Sequence, residues 1–470
     1  MHSEFCKNLT YRSHLPRILV TTVLASLACQ ASLAGGVPKE TFPRLGGYHI
    51  GATPYEGAYT NPEYQKQIAR LDFAVIGSSL TARNADAAAI RQLNPNIILV
   101  KYTSLQSVSS TFLGYPEIKR NKASAERGPN QTNARDWWAR DFSGNHVSNW
   151  PNNWTVNITR WVKPDANGDR YPEWAAKLDY NRWIKYPAWD GVFEDAVYWQ
   201  PRTPSNGVSI DWSGGQESDS NKIKSEFRLG HQSYWNQMLR LAPDKYIVVN
   251  HDWYRSENAS ALGRWDLPEF DQKVHGGVLE VVMRSSDLVG KPRTGWNTVM
   301  KYYERSMSYF LDPDLVLFIV SGEPNNYRFL RYSFATCLLN NGYFDYAPIG
   351  NEQYGTVEWF DEFDLAGAAD TNWLGRALAA PPEAAWQSGV WRRDFQGGVA
   401  LANPRGNGIR TVTVEQGLRR IAGRQDQQVN NGRPADRITL QDGDGIILVR
   451  EGFADLPEPE VTPKPPVIIR

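Results

Sequence analysis

The sequence predicts an α/β protein, a (β/α)8 (TIM) barrel followed by a small antiparallel β-sandwich domain. Eight strand-like apolar runs are separated for the most part by helical patterns, as in a chain of βα units. Several of these runs end in polar or acidic residues, which is typical of the active face of a barrel. After about residue 376 the pattern changes to short strands and turns, which indicates a second domain.

The eight predicted barrel strands are, in chain order, Tyr48–Ala52, Phe73–Gly77, Ile97–Tyr102, Asp190–Trp199, Tyr246–Trp253, Gly276–Glu280, Leu315–Glu323 and Gly342–Tyr346. Helical spacing of apolar residues predicts helices over Ala85–Leu93, Phe227–Leu241, Asn297–Tyr309 and Tyr327–Asn340. A doubly wound sheet is the structural alternative. It is disfavoured because no glycine-rich phosphate loop follows the first strand.

The first 34 residues predict a signal peptide. A basic region is followed by the apolar run Ile18–Ala28, and small residues precede an expected cleavage after Ala34. We therefore expect an exported protein, periplasmic or extracellular. A lipid anchor on Cys29 is the weaker option, because Ser26 stands where such anchors have leucine. Cleavage would leave Cys337 as the remaining cysteine, in an apolar helical pattern typical of a buried residue.

The rest of the chain divides by pattern into a barrel at 35–375, a β domain at 376–452 and a proline-rich tail at 453–470. A Trp-rich insertion at about 104–182 interrupts the barrel after its third strand. It is either a flap packed by its own aromatic residues or a wall that stacks on sugars. The acidic run Asp361–Asp364 is expected to be a solvated element between the two domains.

The composition limits the classes of partner that the protein is expected to bind. The formal net charge is zero, with 51 basic and 51 acidic residues, which argues against a general nucleic-acid binder. No long apolar run follows the N-terminus, so we expect no membrane span in the mature chain. Histidine and cysteine residues show no zinc spacing, and we expect no metal and no cofactor. The 18 Trp and 22 Tyr suit either core packing or the stacking of a polysaccharide or oligosaccharide.

The fourth predicted strand ends in two adjacent carboxylates, Glu194 and Asp195, and the sixth ends in Glu280. Side chains alternate across a strand, so only one member of the adjacent pair should point into the barrel mouth. The eight further residues expected to bind substrate lie at or just after strand ends: Tyr48, Lys101, Trp199, Asn250, Asp252, Trp253, Glu323 and Asp345.

Two parts of the sequence together resemble a known family. The strand Asp190–Asp195 is similar to the fourth strand of glycoside hydrolases with an α-galactosidase-like barrel. The segments Gly389–Phe395, Val399–Pro404 and Asp444–Leu448 are similar to the β domain that follows that barrel in the hypothetical glycosyl hydrolase-like family fifteen. The resemblance covers roughly residues 46–450. The Trp-rich insertion departs from it and leaves the substrate open.

The resemblance implies carboxylates at the ends of the fourth and sixth strands, here Asp195 and Glu280, and favours Asp195 over Glu194. Glycosidic cleavage needs one protonated and one ionised carboxyl group beside the bond. Apolar neighbours raise the pKa of a carboxyl group, so we expect Glu280 to be the general acid. Asp195 would be the nucleophile, or the base in an inverting enzyme. A structural salt bridge with Arg284 is the alternative for Glu280.

The sequence thus predicts an exported glycoside hydrolase that acts on a polysaccharide or oligosaccharide. Two alternatives remain open. One is a non-catalytic carbohydrate-binding protein on the same scaffold, since a fold does not fix a function. The other is a different barrel hydrolase or lyase, such as a deacetylase, which the lack of a metal-binding pattern disfavours.

Overall fold

The computed structural model describes residues 35–49, 58–77, 82–109, 137–149, 153–204, 207–251, 266–289, 295–349, 355 and 357–452. The predicted signal peptide and proline-rich tail lie outside these residues. The strands are β1 (Gly46–His49), β2 (Phe73–Ile76), β3 (Ile98–Ser104), β4 (Ser107–Ser109), β5 (Asn153–Thr155), β6 (Gly191–Val197), β7 (Tyr246–His251), β8 (Gly276–Arg284), β9 (Leu315–Gly322), β10 (Tyr343–Pro348), β11 (Trp391–Phe395), β12 (Gly398–Asn403), β13 (Arg410–Thr413), β14 (Leu418–Arg420), β15 (Arg437–Leu440) and β16 (Asp444–Arg450).

The helices cover the intervals between most barrel strands. They are α1 (Pro62–Ile68), α2 (Asn84–Leu93), α3 (Tyr171–Asp179), α4 (Ser220–Leu241), α5 (Trp296–Tyr309), α6 (Tyr327–Leu338) and α7 (Asp361–Asp364). A π-helical turn, Tyr180–Ile184, continues α3, and short 3₁₀ helices cover Ala58–Thr60 and Ser285–Leu288. None of the helices that the structure describes is both long enough and apolar enough to cross a bilayer.

Eight parallel strands form the barrel in the order β1-β2-β3-β6-β7-β8-β9-β10. The two ends of this sheet meet, because Leu45 bridges to Phe344 in parallel and the Phe344 amide donates to the Arg44 carbonyl at 2.9 Å. The predicted (β/α)8 barrel is therefore confirmed. The sixth strand continues beyond its predicted end at Glu280, with a shift of register between Leu279 and Met283.

The barrel strands are buried on both faces, as in other parallel barrels. One face fills the barrel interior with residues such as Phe73, Val100 and Phe193, and the other packs against the helices. Because side chains alternate, the residue after each interior residue points toward the helix layer. This phase decides which strand-end side chains can reach a substrate at the barrel mouth.

The opposite end of the barrel is tied by Asp190, the residue before β6. Its Oδ2 accepts from the Leu99 amide at 2.7 Å and pairs with the Arg91 guanidinium, while its Oδ1 accepts from the Gly36 amide at 2.8 Å. The Asp190 and Arg91 side chains are both buried. This arrangement positions β6 relative to β3 but is remote from the mouth, where it would serve stability.

The C-terminal strands form a four-stranded antiparallel sheet, β11-β12-β16-β14, and a two-stranded sheet, β13-β15, which enclose an apolar core. This sandwich packs on the barrel helix α6, where the Arg393 guanidinium donates to the carbonyls of Leu338 at 3.0 Å and Asn340 at 2.6 Å. It therefore supports the barrel from the outside.

The acidic run at α7 is buried, so the prediction of a solvated element was wrong. Asp361 is 6% exposed, and its Oδ2 accepts from the backbone amides of Arg424 and Gln425, each at 2.7 Å. Glu362 Oε1 accepts from Asn430 Nδ2 at 2.9 Å. These carboxylates serve as acceptors for a loop of the β domain, a role that charge content alone does not indicate.

Candidate active site

Four polar side chains from neighbouring strands meet at the carboxyl end of the barrel. Asp195 of β6 accepts from the Tyr102 hydroxyl at 2.5 Å through Oδ2 and from Asn250 Nδ2 at 3.0 Å through Oδ1. The same Asn250 Nδ2 donates to Glu280 Oε2 at 2.8 Å. One amide of β7 therefore joins the carboxylates of β6 and β8, the strands on either side of it.

The sequence around Asp195 directs its side chain inward. Phe193 lies in the barrel interior, and Asp195 follows it at the next interior position. The strand then departs from regular geometry, because Ala196 adopts a left-handed conformation with φ 62°. The Ala196 amide donates to Asp195 Oδ1 at 2.8 Å, so the bend itself contributes a donor to the carboxylate.

Glu194 points the other way, into the layer between strand and helix. It is fully buried and accepts from His231 Nδ1 at 2.6 Å and Trp235 Nε1 at 2.5 Å, both on α4. The structure thus brings Asp195, but not Glu194, together with Glu280. The Glu194 carboxylate is closed to solvent, and its hydrogen bonds hold His231 and Trp235 behind β6.

The hydrogen bonds of His231 define its tautomer. Its Nδ1 faces the acceptor Glu194, so Nδ1 carries the proton, and its Nε2 can accept from Gln106 Nε2 at 3.1 Å. Gln106 Nε2 also donates to the Ala196 carbonyl at 2.5 Å. A continuous chain of hydrogen bonds therefore runs from Glu194 to the strained residue that follows Asp195.

Tyr102 is held as a donor to Asp195. Burial, and next the charge of Asp195, raise the pKa of Tyr102 well above its usual value, so its hydroxyl stays protonated. A further interior carboxylate stands on the other side of the barrel, where Asp345 Oδ2 accepts from the Tyr48 amide at 2.9 Å. Burial raises the pKa of Asp345 to about 7, although this amide and that of Tyr346 oppose the shift.

Comparison of the chain with known proteins identifies its family. The model of the hypothetical glycosyl hydrolase family 15 matches residues 91–399. The chain belongs to this family. The resemblance seen in the sequence is therefore confirmed, and membership supports a glycosidase role with a carbohydrate substrate. No functionally curated protein matches this family member.

Solved glycoside hydrolases resemble this family 15 protein at low identity. The glycoside hydrolase domain of PelA from Pseudomonas aeruginosa is 11% identical over 65% of this chain and 94% of that chain, with a TM-score of 0.37. The GH36 α-galactosidase AgaA from Geobacillus stearothermophilus is 10% identical over 87% and 56%, with a TM-score of 0.43. Amy13B from Eubacterium rectale is 10% identical over 87% and 97%, with a TM-score of 0.47.

The other predicted binding residues of this family 15 protein are dispersed. Tyr48 lies in the barrel interior. Lys101 points outward, where its ammonium contacts the Ala82 carbonyl at 3.3 Å and lies 4.6 Å from the Trp183 ring centre. The structure therefore does not place Lys101 with the carboxylates.

Two more predicted binding residues lie away from the carboxylates. Trp199 leaves the strand and packs beside α4, where its carbonyl accepts from Arg228 at 3.0 Å. Glu323 is exposed and accepts from Asn326 Nδ2 at 3.2 Å, at the start of α6. The predicted pair Asp252 and Trp253 lies outside the described residues.

Tyr102 follows Lys101 at the end of the third predicted strand, where it is expected to be a packing or supporting residue. It is not among the eight residues expected to bind substrate, but its hydroxyl bonds Asp195 directly. Tyr102 and Lys101 are adjacent in β3. Val100 points into the barrel, so Tyr102, two positions later, also points inward and Lys101 points outward. The sequence does not show which residues of the strand point inward. Asn250 was predicted only as a sugar-binding residue. Its contact with both carboxylates depends on the pairing of β7 with β6 and β8, which the linear sequence does not display.

Groups of three or more metal-ligating side chains do not occur among the described residues. Asp195, Glu280, Asn250 and Tyr102 supply two carboxylates, an amide and a phenol to the site. These groups suit acid–base and nucleophilic chemistry at an acetal carbon.

Proposed function

We propose that this protein is an exported glycoside hydrolase that cleaves glycosidic bonds in a polysaccharide or oligosaccharide with Asp195 and Glu280, retaining the anomeric configuration. The observation that carries the proposal is the Asn250 amide shared by the two carboxylates. Family membership supports the glycosidase class, and the mechanism, substrate and export are our proposals.

The shared amide supports retention. Asp195 Oδ1 and Glu280 Oε2 lie 3.0 and 2.8 Å from one nitrogen, so these two oxygens are no more than about 6 Å apart. Retaining glycosidases separate their carboxyl groups by roughly 5–5.5 Å, whereas inverting enzymes need roughly 6.5–9.5 Å to admit a water molecule. A single bridging amide suits the shorter separation.

Hydrogen bonding supports Asp195 as the nucleophile. Its carboxylate accepts from Tyr102, Asn250 and the Ala196 amide, and such donors stabilise negative charge. Glu280 then serves as acid and base. In the first step Glu280 gives its proton to the leaving oxygen while Asp195 bonds to the anomeric carbon. In the second, Glu280 takes a proton from water, whose oxygen displaces Asp195, so the net change is addition of one water molecule.

The first experiment incubates the chain from Gly35 onward with a polysaccharide panel and detects released oligosaccharides by mass spectrometry. Asp195→Asn and Glu280→Gln should each abolish release, because each removes a reacting carboxyl group without changing its size. Glu63→Gln is the matched control, since it neutralises an exposed carboxylate on α1 that was not predicted to bind substrate. It should leave product release unchanged.

The anomer of the first product, read by NMR before mutarotation, distinguishes the two stereochemical outcomes. Net retention is expected, and an inverted first product would overturn the double-displacement mechanism. Full activity in both Asp195→Asn and Glu280→Gln would overturn the assignment of the site. Glycan binding without any cleavage by the unmodified chain would favour a carbohydrate-binding protein instead. Export is tested by locating the protein in fractions of its host, where retention of residues 1–34 in the cytoplasm would contradict it.

A further inference from the structure

A cleft with a volume of about 400 Å³ lies between the Trp-rich insertion and the loop that follows β6, and no residue of the carboxylate cluster lines it. Two turns of the same sequence pattern, Asp-aromatic-Ser-Gly, line it from the segments Asp141–Gly144 and Asp211–Gly214. These segments lie about 70 residues apart in the sequence and meet through an antiparallel bridge between Asp141 and Ile210. We name this feature the insertion cleft.

Hydrogen bonds from backbone amides to an aspartate side chain fix each turn. Asp141 Oδ1 accepts from the Ser143 amide at 2.9 Å and the Asn145 amide at 2.8 Å, and Asp211 Oδ1 accepts from the Gly215 amide at 2.8 Å. The Asp211 amide donates to the Arg140 carbonyl at 2.8 Å, so the turns are joined to each other. Their polar side chains are therefore presented in a defined arrangement.

Aromatic rings supply the apolar part of the insertion cleft. Among the lining residues, Trp138 and Trp212 are buried, Trp161 is half-buried, and Phe142 is 70% exposed. Concave surfaces that combine aromatic rings with a few polar groups bind ligands with mixed apolar and polar faces. Sugar rings have such faces, because their C–H groups are apolar and their edges carry hydroxyl groups.

The charged groups suit the hydroxyl edges of a sugar. Arg140 carries donors, and the carboxylates of Asp141 and Asp211 carry acceptors, all on the wall of the cleft. Asn145 Nδ2 donates to Asp141 Oδ2 at 2.9 Å, and the Asn145 side chain and amide keep the pKa of Asp141 below its usual value, so this carboxylate is ionised. Two carboxylates and one guanidinium would disfavour a polyanion, and a neutral glycan is the better match.

The insertion cleft lies behind α4 as seen from the barrel interior. Trp212 packs edge-on against Phe227 of α4, with ring centres 5.5 Å apart, and Phe227 packs in the same way against His231 at 5.2 Å. His231 bonds Glu194 on the outer face of β6, opposite the direction in which Asp195 points. A sugar in the insertion cleft therefore does not contact the reacting carboxylates.

We propose that the insertion cleft is a second carbohydrate-binding site, which holds a segment of a neutral polysaccharide by stacking on Phe142 and Trp161 while Arg140, Asp141 and Asp211 bond its hydroxyl groups. The choice of ligand rests on the proposed glycosidase function. Its role is to keep a long substrate on the enzyme between cleavage events, so it acts on polymers and not on short substrates.

The test uses native gel electrophoresis with galactomannan, soluble starch, xylan or polygalacturonate in the gel. The protein is the full chain from Gly35 with Asp195→Asn, which cannot consume the probe. At least one of the neutral polysaccharides should retard it. Phe142→Ala and Trp161→Ala should each weaken the apparent affinity about tenfold, a loss of one well-placed stacking contact. Phe142→Trp should restore retardation because it returns an aromatic face.

Tyr186→Ala is the matched control, because Tyr186 is an exposed aromatic residue, 40% exposed, that does not line the insertion cleft. It should migrate as the parent does. Equal retardation of the Phe142→Ala chain, retardation by polygalacturonate alone, or no retardation by any probe would overturn the proposal.

Activity separates this proposal from the assignment of the active site. With Asp195 intact, Phe142→Ala should raise KM for the polymer and leave hydrolysis of a short aryl glycoside unchanged. If Asp195→Asn leaves cleavage intact while Phe142→Ala abolishes retardation, the active-site assignment fails and the insertion cleft stands. If Asp195→Asn abolishes cleavage while Phe142→Ala leaves retardation unchanged, only the proposal for the insertion cleft fails.

Discussion

The adjacent carboxylates Glu194 and Asp195 provide a sharp test of the site, because isosteric amides at the two positions should have opposite effects. Glu194→Gln keeps one acceptor oxygen for either His231 or Trp235 and places an NH₂ group against the other N–H donor. Two buried donors then face each other without acceptors. At about 1–3 kcal/mol for each of these two unsatisfied buried groups, we expect a loss of about 2–6 kcal/mol in the free energy of unfolding.

Asp195→Asn should instead abolish turnover while changing stability little, because its carboxylate lies at a half-buried mouth. The assay is urea denaturation followed by fluorescence, together with product release per folded molecule. Glu194→Gln should retain activity within about tenfold, a modest loss transmitted through His231 and Gln106 to the Ala196 bend. An inactive Glu194→Gln protein of unchanged stability, or an active Asp195→Asn protein, would refute the reasoning.

Three further predictions concern single residues. Asn250→Ala should lower kcat on the order of a hundredfold with the fold retained, because it removes the amide that positions both carboxylates. Circular dichroism checks the fold and initial rates check kcat, and unchanged rates would contradict the prediction. Asp190→Asn should lower the free energy of unfolding by about 3–5 kcal/mol because it leaves the Arg91 charge buried; equal urea midpoints would contradict this. Asp345 has a folded pKa of about 7, above its unfolded value, so the folded state binds the extra proton and stability should fall as pH rises from about 4 to 7. Asp345→Asn should remove that fall in urea titrations across this range, and an identical pH slope in the variant would contradict the assignment.

The barrel was predictable from the sequence because its signal is redundant. Eight apolar runs with turns and helical patterns between them predict a barrel even when the exact ends of the strands are not known. Errors of a few residues, such as the end of β8, do not change the fold. The family resemblance likewise depended on several separate segments of the chain, the fourth strand and three parts of the β domain. The match of the family model over residues 91–399 confirms it.

The direction of individual side chains was harder to predict. A strand of a parallel barrel is apolar on both faces, so its sequence lacks the alternation of polarity that would show its phase. Lys101 and Tyr102 illustrate this, because both look like polar residues at a strand end and only the second is inside. The Asp195 pairing with Glu280 through Asn250 stays a prediction of mechanism, although the contacts among these residues are now described.

Helix α6 has a consequence for how the chain is made. Its residues Phe329–Leu338 are all buried, so this helix has no solvent face along most of its length. Strands β9 and β10 pack on it from the barrel, and β12 and β16 from the sandwich, within one continuous apolar cluster. Helix α6 therefore lacks part of its packing environment until β16, which ends at Arg450, has been synthesised. We therefore expect the barrel and the sandwich to fold together, and we expect an incomplete chain to expose the apolar surface of α6 to chaperones and proteases.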